Sequence, residues 1–370
     1  MKKFFSTAVL FLLVVAAVNA YNPPVYGDDI YELSSPRQLA NGSSVTGGGI
    51  FYASPESIAI NPALTAKEQR VDLNLANTSL FSSEETNDSK YGDALQFGIL
   101  IPFKRFVFSG YGNLTAVSFN EFYLGNSFNF KFGLAKEITD KLTVGTNLNS
   151  GIYWAEGESD WGLSVNLGFV YTYGDLAFMK DFRFGASILN LGKNYTPEAP
   201  IGVKNMAATS LPSIAVIKAG VAGTLVQNDV IKLGFSADLS TPYFMNFIAD
   251  LGLQFSIKDM FFISVAEKLN LVELSHDVKN LLPSVGLTFR FTFDVKNNEY
   301  LSKNGWSQSE MSANAAWKQF NESVNAVSYG VDVNLGLKDK APPVIQLWID
   351  EEDEADAPEV QTIPVSGDAK

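Results

Sequence analysis

Few side chains in this sequence could carry out catalysis, and their surroundings argue against it. The chain has no cysteine and one histidine, His276, which stands beside Asp277 in a polar stretch. A serine nucleophile needs a histidine base that a carboxylate orients, and the Gly-x-Ser-x-Gly pattern of many hydrolases does not occur. We therefore interpret His276 as a surface residue and predict that the protein is not an enzyme.

Metal and nucleotide sites also lack their usual residues. The glycines Gly47–Gly49 are not followed by the Lys-Ser/Thr of a phosphate-binding loop. Six acidic residues between positions 350 and 356 could attract Ca²⁺, but they lack the glycine and the ligand spacing of an EF-hand. We predict no metal and no cofactor. Because the chain has no basic stripe and a net charge of −13, we also predict no nucleic-acid partner.

The composition favours strands and turns over helices. Hydrophobic residues make up 46% of the 370 residues and aromatic residues 13%, whereas only 18% are charged. Phenylalanine, tyrosine and glycine are abundant, and the mean hydropathy of +0.05 is high for a soluble protein of this length. Phenylalanine and tyrosine are enriched in strands. This composition predicts an all-β protein.

The first twenty residues have the pattern of a secretory signal peptide. Lys2 and Lys3 provide the positive start, and Ala8–Val18 is an apolar run of suitable length. Val18-Asn19-Ala20 offers short residues for cleavage, so we expect cleavage after about Ala20. The alternative is a membrane anchor, but the run is shorter than the roughly 20 residues that a spanning helix needs. We predict an exported protein.

From Gln69 to Leu337 the sequence alternates between apolar and polar residues. Leu163–Tyr173 and Met245–Ile257 place apolar side chains at odd positions and mostly polar or small ones at even positions. A period of two indicates strands with one apolar and one polar face. Gly133, Gly168 and Gly286 fall on the polar side, where the interior of a barrel has little room.

The length of these runs separates a membrane barrel from a soluble sandwich. The alternation holds its phase for about ten or more residues, whereas soluble strands usually have ~5–6 and transmembrane β-strands need ~9–11. Aromatic residues such as Tyr153, Trp154 and Trp161 stand near strand ends, as in the aromatic girdles of outer-membrane barrels. We predict a transmembrane antiparallel β-barrel. A secreted soluble β protein is the alternative.

We predict about 14 strands, joined by connections that are alternately short and mostly long, as in outer-membrane barrels. Gly174–Asp181 and Asn297–Gln308 are longer than expected for the short side, and the thirteenth strand could also be a short helix. The predicted strands span residues 69–81, 91–102, 105–117, 125–137, 140–153, 161–173, 182–191, 212–226, 230–239, 244–257, 260–270, 282–296, 309–317 and 324–337.

The stretch Gly47–Ala66 is too short and too interrupted to be a strand of this sheet. It opens with three glycines, contains Pro55 and ends near Asn61-Pro62. Glycine permits close backbone approach, and proline fixes φ and removes a donor. We predict one or two helical turns and tight bends, which form part of an N-terminal plug, or hatch, inside the lumen. The alternative is an ordinary lead-in to the β domain.

The predicted order of the chain is therefore a signal peptide (1–20), a hatch (21–68), an outer-membrane barrel (69–337) and a tail (338–370). Residues 341–370, which make up most of the tail, hold eight acidic residues and several prolines but one basic residue, Lys370. Such a composition is typical of disorder. An even number of strands leaves both ends of the barrel on the periplasmic side, so we expect an acidic, disordered, periplasmic tail.

This arrangement resembles the FadL family of outer-membrane long-chain fatty-acid transporters, and in particular the uncharacterised FadL-like paralogues of spirochaetes. The matching residues are Gly47, Gly48 and Gly49, followed by Ile58-Ala59-Ile60 and Asn61-Pro62-Ala63. The family has a hatch with a glycine-rich turn and a short Asn-Pro-Ala signature, and then fourteen strands. The resemblance covers about residues 30–337. A related adaptor in protein secretion shares this architecture, so the fold does not determine the cargo.

The resemblance implies uptake of long-chain fatty acids or similar hydrophobic molecules, which pass the hatch and leave by a lateral opening in the barrel wall. The third strand carries Gly110 and Gly112, which could mark that opening or simply allow the sheet to curve. We interpret Asn61-Pro62-Ala63 as a determinant of hatch geometry. The alternative function is a barrel that acts as a binding or assembly partner in protein secretion or at the cell surface.

The last predicted strand also resembles the signal that the barrel-insertion machinery reads. Gly330, Val333 and Leu335 belong to a polar stretch, a glycine and alternating hydrophobic residues, although more than thirty residues follow them. The expected partners are thus a hydrophobic ligand, outer-membrane lipid and the insertion machinery. The expected oligomeric state is a monomer.

Overall fold

The architecture is given by a computed structural model of the chain. The structure describes residues 35–40, 44–83, 90–119, 123–155, 158–193, 215–242, 244, 246–271, 274, 282–295, 298–299, 301, 306–320 and 324–336. The predicted signal peptide, the first part of the predicted hatch, the acidic tail and His276 lie outside the described residues.

The described strands form a closed antiparallel barrel of fourteen strands, as predicted. Each strand pairs with its neighbours in sequence, and β1 closes the ring by pairing with β14. The strands are β1 (Val71–Ser82), β2 (Tyr91–Pro102), β3 (Val107–Ser118), β4 (Tyr123–Thr139), β5 (Leu142–Ala155), β6 (Glu158–Leu176), β7 (Met179–Lys193), β8 (Val216–Gln227), β9 (Ile231–Pro242), β10 (Ile248–Ile257), β11 (Phe261–Asn270), β12 (Ser284–Asp294), β13 (Gln308–Phe320) and β14 (Val324–Leu335).

The barrel is apolar outside and polar inside, which is the reverse of a soluble barrel. In β6, Leu163 and Leu167 are exposed, whereas Ser164 and Asn166 between them are buried. In β10 the exposed Leu251 alternates with buried Asp250 in the same way. The period of two in the sequence therefore corresponds to an outward apolar face and an inward polar face.

Two uncertain predictions about the wall are resolved. The thirteenth segment is a strand, since it pairs with β12 and β14 along its length. The expected long connection at Gly174–Asp181 is wrong, because β6 continues to Leu176 and β7 begins at Met179. Gly174 and Ala177 have positive φ, and the β6–β7 pairing shifts register beside Gly174. The residues that were predicted to form a loop therefore belong mostly to the two strands of a bulged hairpin.

Before β1 the chain forms a compact segment of short helices, which we call the N-terminal segment (residues 35–69). It contains the helix α1 (Pro36–Ala40) and two 3₁₀ helices, Pro55–Ala59 and Pro62–Lys67. α1 contacts β11 to β14, the first 3₁₀ helix contacts β1 to β4, and the second contacts β3 to β6. Among the described residues, no helix is long and apolar enough to cross a bilayer.

Candidate functional site

Proline and polar caps shape the N-terminal segment. Pro55 and Pro62 each occupy the first position of a 3₁₀ helix, where the missing N–H costs nothing. Asn61 precedes Pro62 with extended backbone, and its side chain accepts a hydrogen bond of 3.0 Å from the Ala63 amide. Gly47 and Gly48 have φ near +85°, which non-glycine residues rarely adopt. The one or two helical turns and tight bends predicted from the sequence are present.

Glycines on the polar face of the strands make room for this segment. A Cβ atom added to Gly168 would overlap the Asn61 side chain, and one added to Gly145 would overlap the Pro62 backbone. The same relation recurs at several other strand glycines, each of which faces one part of the segment. These pairs are Gly98 with Pro55, Gly133 with Ile58, Gly145 with Pro62 and Ala63, Gly168 with Asn61, Gly185 with Val45, Gly234 with Gly49, and Gly286 with Ala40.

Asn61 links three parts of the molecule. Besides accepting from Ala63, its side-chain amide donates to the Val45 carbonyl at 2.8 Å and to the Phe169 carbonyl of β6 at 3.1 Å. The side chain is fully buried. Ser187 of β7 adds a hydrogen bond of 2.8 Å to the Ile60 carbonyl. The Asn61-Pro62-Ala63 motif therefore fixes the local bend and also contacts the wall.

Two charged wall residues hold the glycine-rich turn. Arg183 of β7 donates from Nε to the Thr46 carbonyl at 2.9 Å and from Nη2 to the Gly48 carbonyl. Asp238 of β9 accepts a hydrogen bond from the Val45 amide. Both side chains are buried. Because carbonyls and amides of the turn bind charged partners, these hydrogen bonds are stronger than neutral ones.

A buried charged cluster lies where α1 and the first 3₁₀ helix meet β1 and β14. Nε of Arg37 lies 3.4 Å from Oδ2 of Asp332, and its guanidinium carbon lies 3.2 Å from the centre of the Tyr52 ring. Asp332 also accepts hydrogen bonds from Asn74 and Asn314, each of 2.5 Å. The carboxylates of Glu56 and Asp72 share this cluster.

The cluster shifts the ionisation of the segment's own side chains. Burial raises the pKa of Glu56 to about 7, Asp332 raises it further, and Arg37 opposes the shift. Burial also raises the pKa of Tyr52 well above its ordinary value. Burial by itself lowers the pKa of Arg37, but attraction to Tyr52, Asp332 and the other carboxylates raises it overall. Burial therefore brings the pKa of Glu56 close to neutral pH.

Within the part of the chain that the structure describes, no three His, Cys, Asp or Glu side chains are arranged to hold a metal ion. The carboxylates of Glu56, Asp72 and Asp332 therefore form a charged cluster without the geometry of a metal centre.

A cavity of about 480 Å³ separates the N-terminal segment from one side of the wall. It extends from the β10–β11 turn, at Lys258 and Asp259, to Gly286 and Ala315. Charged and aromatic side chains line it together. They include Arg37, Tyr52, Lys232, Phe262, Arg290 and Glu310.

Gly110 and Gly112, predicted to mark a lateral opening, lie in an unbroken part of the wall. Gly110 pairs with Ile99 and Phe132, and Gly112 pairs with Phe97 and Phe130. The register of β3 with β4 shifts only beyond Val117. The Phe97 ring covers the space that a side chain at position 112 would need. In this state both glycines belong to a continuous ladder, and a lateral opening there stays a prediction.

The residues of the predicted insertion signal belong to β14. Gly330 faces inward opposite Ala76 of β1, where an added Cβ would meet the alanine side chain. Val333 and Leu335 share the opposite parity, with the exposed Val331. Recognition of these residues by insertion machinery stays a prediction.

Sequence reasoning missed the charged residues that connect the segment to the wall: Arg37, Glu56, Arg183, Asp238 and Asp332. For Arg183, Asp238 and Asp332 the available signal was a charged residue at a polar, inward-facing position of a strand. Asp332 alternates with Gly330 and Asn334, and Arg183 stands two residues before Gly185. Nothing local in the sequence shows which partners they meet.

No family model matches the chain, and no curated protein does. Among solved structures, the TodX monoaromatic hydrocarbon channel deltaS2 mutant aligns with a TM-score of 0.51 at 10% identity, covering 84% of this chain and 100% of that one. The two proteins share the fold. The Pseudomonas putida toluene transporter TodX aligns with a TM-score of 0.49 at 10% identity, covering 84% of this chain and 100% of that one. A Pseudomonas aeruginosa FadL homologue aligns with a TM-score of 0.44 at 11% identity, covering 86% of this chain and 99% of that one. At such identities the likeness concerns the fold, and function needs its own argument.

Proposed function

We propose that the chain is an outer-membrane channel for the uptake of hydrophobic small molecules, with residues 21–68 as a plug inside the barrel. The observation that carries the proposal is the series of wall glycines that face the N-terminal segment. The glycines leave the space that Pro55, Asn61 and Ala40 occupy, and a barrel with an empty lumen would not need that space. A plug with so close a fit prevents the free leakage that an open barrel of this size allows.

The outer face supports a membrane location. Leu75, Leu163, Leu253 and Leu287 are between 42% and 57% exposed, and they belong to strands on different sides of the ring. So many exposed large apolar side chains are costly in water and stabilising in lipid. Together with the predicted signal peptide, they favour the bacterial outer membrane, with the tail in the periplasm.

Two lines support hydrophobic molecules as the cargo. The FadL resemblance of the N-terminal motif implies long-chain fatty acids, and the names of the structural neighbours refer to a monoaromatic hydrocarbon channel and a toluene transporter. We propose hydrophobic small molecules as the substrate class and long-chain fatty acids as its first member to test. Exit through the wall near Gly110 and Gly112 requires β3 to separate from a neighbouring strand.

The first experiment is mass spectrometry of small molecules extracted from the purified, folded protein, beside an unrelated barrel prepared in the same way. A reproducible lipid or fatty acid that the control lacks is the expected result. Uptake of a radiolabelled fatty acid and of toluene by cells with and without the protein then tests transport. Absence of both a ligand and uptake would refute the channel and favour a barrel that binds a protein partner.

A further inference from the structure

The chain leaves the barrel close to the cavity that lies beside the N-terminal segment. β14 ends at Leu335, and Gly336 has a φ of +90°, which ends the extended backbone. The Gly336 amide donates a hydrogen bond of 3.2 Å to Oγ of Ser309, so the chain leaves the sheet tied to β13. The acidic tail, residues 338–370, follows directly after Leu337.

The register of the sheet places one wall of the cavity within two strands of that point. Glu310 of β13 and Thr292 of β12 both line the cavity. Asn334 of β14 pairs with Glu310, which pairs in turn with Thr292. Because neighbouring strands lie about 4.8 Å apart, this wall is roughly 5 to 10 Å from the end of β14. The β10–β11 turn lies at the same end of the barrel, since β11 begins where β14 finishes in the antiparallel ring.

The cavity carries an excess of positive charge. Its lining has four basic side chains and two acidic ones. Both acids already have basic partners: Glu310 pairs with Arg70, and Oδ2 of Asp259 lies 2.7 Å from the Lys232 amine. The negative charge of the lining is therefore neutralised, although the whole chain carries −13.

Two basic side chains of the lining are left over. Lys258, in the exposed β10–β11 turn, and Arg290 of β12 form no ion pair with any described residue. The two positions are close, because the Arg290 amide donates a hydrogen bond of 2.7 Å to the carbonyl of Met260 in the same turn. The half-buried guanidinium lies 4.9 Å from the centre of the Phe262 ring, which offsets only part of the cost of burying a charge. An anion at this end of the barrel would supply the rest.

The tail combines the two kinds of side chain that this wall can bind. Residues 350–354 are an unbroken acidic run, and five of the six residues at 344–349 are apolar. The cavity presents Phe51, Met260 and Phe262 beside its basic residues. Its volume of about 480 Å³ lies in the range of small-molecule sites, roughly 300–1,000 Å³, so it admits a few side chains rather than the whole tail.

The tail is also long enough to reach this wall. Asp350 stands fourteen residues after Gly336. A coil of that length has a root-mean-square end-to-end distance of roughly 20 Å, which exceeds the distance across two strands. Because the acidic run is tethered to the barrel, its effective concentration at the cavity is on the order of millimolar, so weak contacts are enough for docking.

We propose that the acidic run at residues 350–354 docks on Lys258 and Arg290 of its own chain, with apolar residues from 344–349 against Phe262 in the cavity. The tail is then an internal partner of the barrel at the end where β14 finishes. The proposal does not depend on which molecule the channel carries.

Cysteine cross-linking of the full chain in nanodiscs tests the proposal, because the natural sequence has no cysteine. Ala355→Cys, directly after the acidic run, is combined with Met260→Cys at the cavity and treated with a short bis-maleimide reagent. The matched control combines Ala355→Cys with Phe106→Cys, since Phe106 is another exposed apolar residue, beside the β2–β3 connection at the same end of the barrel. Around the ring, β2 and β3 lie no farther from β14 than β10 and β11 do. A tail without a preferred contact therefore reaches the control position at least as well.

We expect the Met260 pair to cross-link within one chain roughly tenfold faster than the Phe106 pair, the effect of one or two charge-assisted contacts. Equal rates for the two pairs would overturn the proposal. Cross-links that join only different chains, and whose yield rises with protein concentration, would overturn it as well, because the occupant would then be the tail of a second copy.

Charge variants supply a second test on the Met260 pair. Replacing each Asp with Asn and each Glu with Gln at positions 350–354 should slow its cross-linking roughly tenfold. Arg290→Gln should slow it less, because Lys258 remains, and Arg105→Gln in the exposed β2–β3 connection should not change it. An unchanged rate with the neutral run, in protein whose folding is checked by heat-dependent mobility on gels, would also overturn the proposal.

The docking of the tail and the proposed function fail separately. If cells take up a hydrophobic molecule but the two cysteine pairs cross-link equally, the channel stands and the docking is wrong. If the Met260 pair cross-links faster and no hydrophobic molecule is bound or taken up, the docking stands and the proposed function is wrong.

Discussion

Replacing Asn61 with alanine tests whether the N-terminal segment is held as the structure describes. The substitution removes three hydrogen bonds: one accepted from the Ala63 amide, and two donated to the Val45 and Phe169 carbonyls. A typical hydrogen bond contributes about 1 kcal/mol net, and a buried partner left unsatisfied costs more. We therefore expect the segment to be less stable by about 3 kcal/mol, whereas the barrel strands keep their own ladder.

The assay is hydrogen exchange followed by mass spectrometry on the folded protein in nanodiscs. A loss of about 3 kcal/mol corresponds to roughly a hundred-fold larger opening equilibrium, since 1.4 kcal/mol is tenfold. Amides of residues 44–68 should exchange correspondingly faster, and those of β10 and β11 should not. Asn61→Asp should open the segment at least as much as alanine does, because it places a buried carboxylate oxygen against the Val45 and Phe169 carbonyls.

The matched control is Asn126→Ala in β4. Its side chain makes a single long hydrogen bond of 3.4 Å to the Trp154 carbonyl, at an exposed position. We expect exchange of the segment to be unchanged in this control. If the amides of residues 44–68 in folded Asn61→Ala protein exchanged at rates within about threefold of those in the wild type, the contacts of Asn61 would not hold the segment and our reasoning would be refuted.

Three further predictions concern charge, space and lipid. Because burial raises the pKa of Glu56 from 4.5 to about 7, its contribution to the segment's stability is fully present below about pH 4.5 and is lost as the pH rises through 7. That contribution is at most roughly 3 kcal/mol. Hydrogen exchange of the segment, measured from pH 5 to 8, should become faster as the pH rises, and Glu56→Gln should abolish this pH dependence. Gly168→Ala should destabilise the segment by about 1–3 kcal/mol. Gly223→Ala should not, because no neighbouring atom lies within 3.5 Å of the Cβ that it adds. Equal hydrogen exchange of the segment in the two variants would contradict the close fit. Leu253→Arg, on the exposed face of β10, should cost about 2–4 kcal/mol in denaturant unfolding from lipid vesicles, and an unchanged midpoint would place that face outside the bilayer.

The strands, and the apolar face of each, could be predicted from the sequence. Alternation is a local property, because successive side chains of a strand point to opposite faces whatever the partner strand is. Position 168 could therefore be assigned to the inner face from its neighbours alone. The β6–β7 hairpin was missed because Gly174 and Asp175 have the composition of a turn, whereas the actual turn lies at Ala177 and Phe178.

The tertiary structure alone decided which inner residues meet. Arg183 reaches Gly48 across 135 positions, and Asp332 reaches Arg37 only because β14 closes the ring beside β1. Such contacts depend on the closure and register of the whole barrel, and no local pattern encodes them. The same reason applies to the cavity at Arg290, whose walls come from the N-terminal segment and from strands 180 or more residues further along the chain. Strand identity is local information, and the chemistry inside the barrel is a property of its assembly.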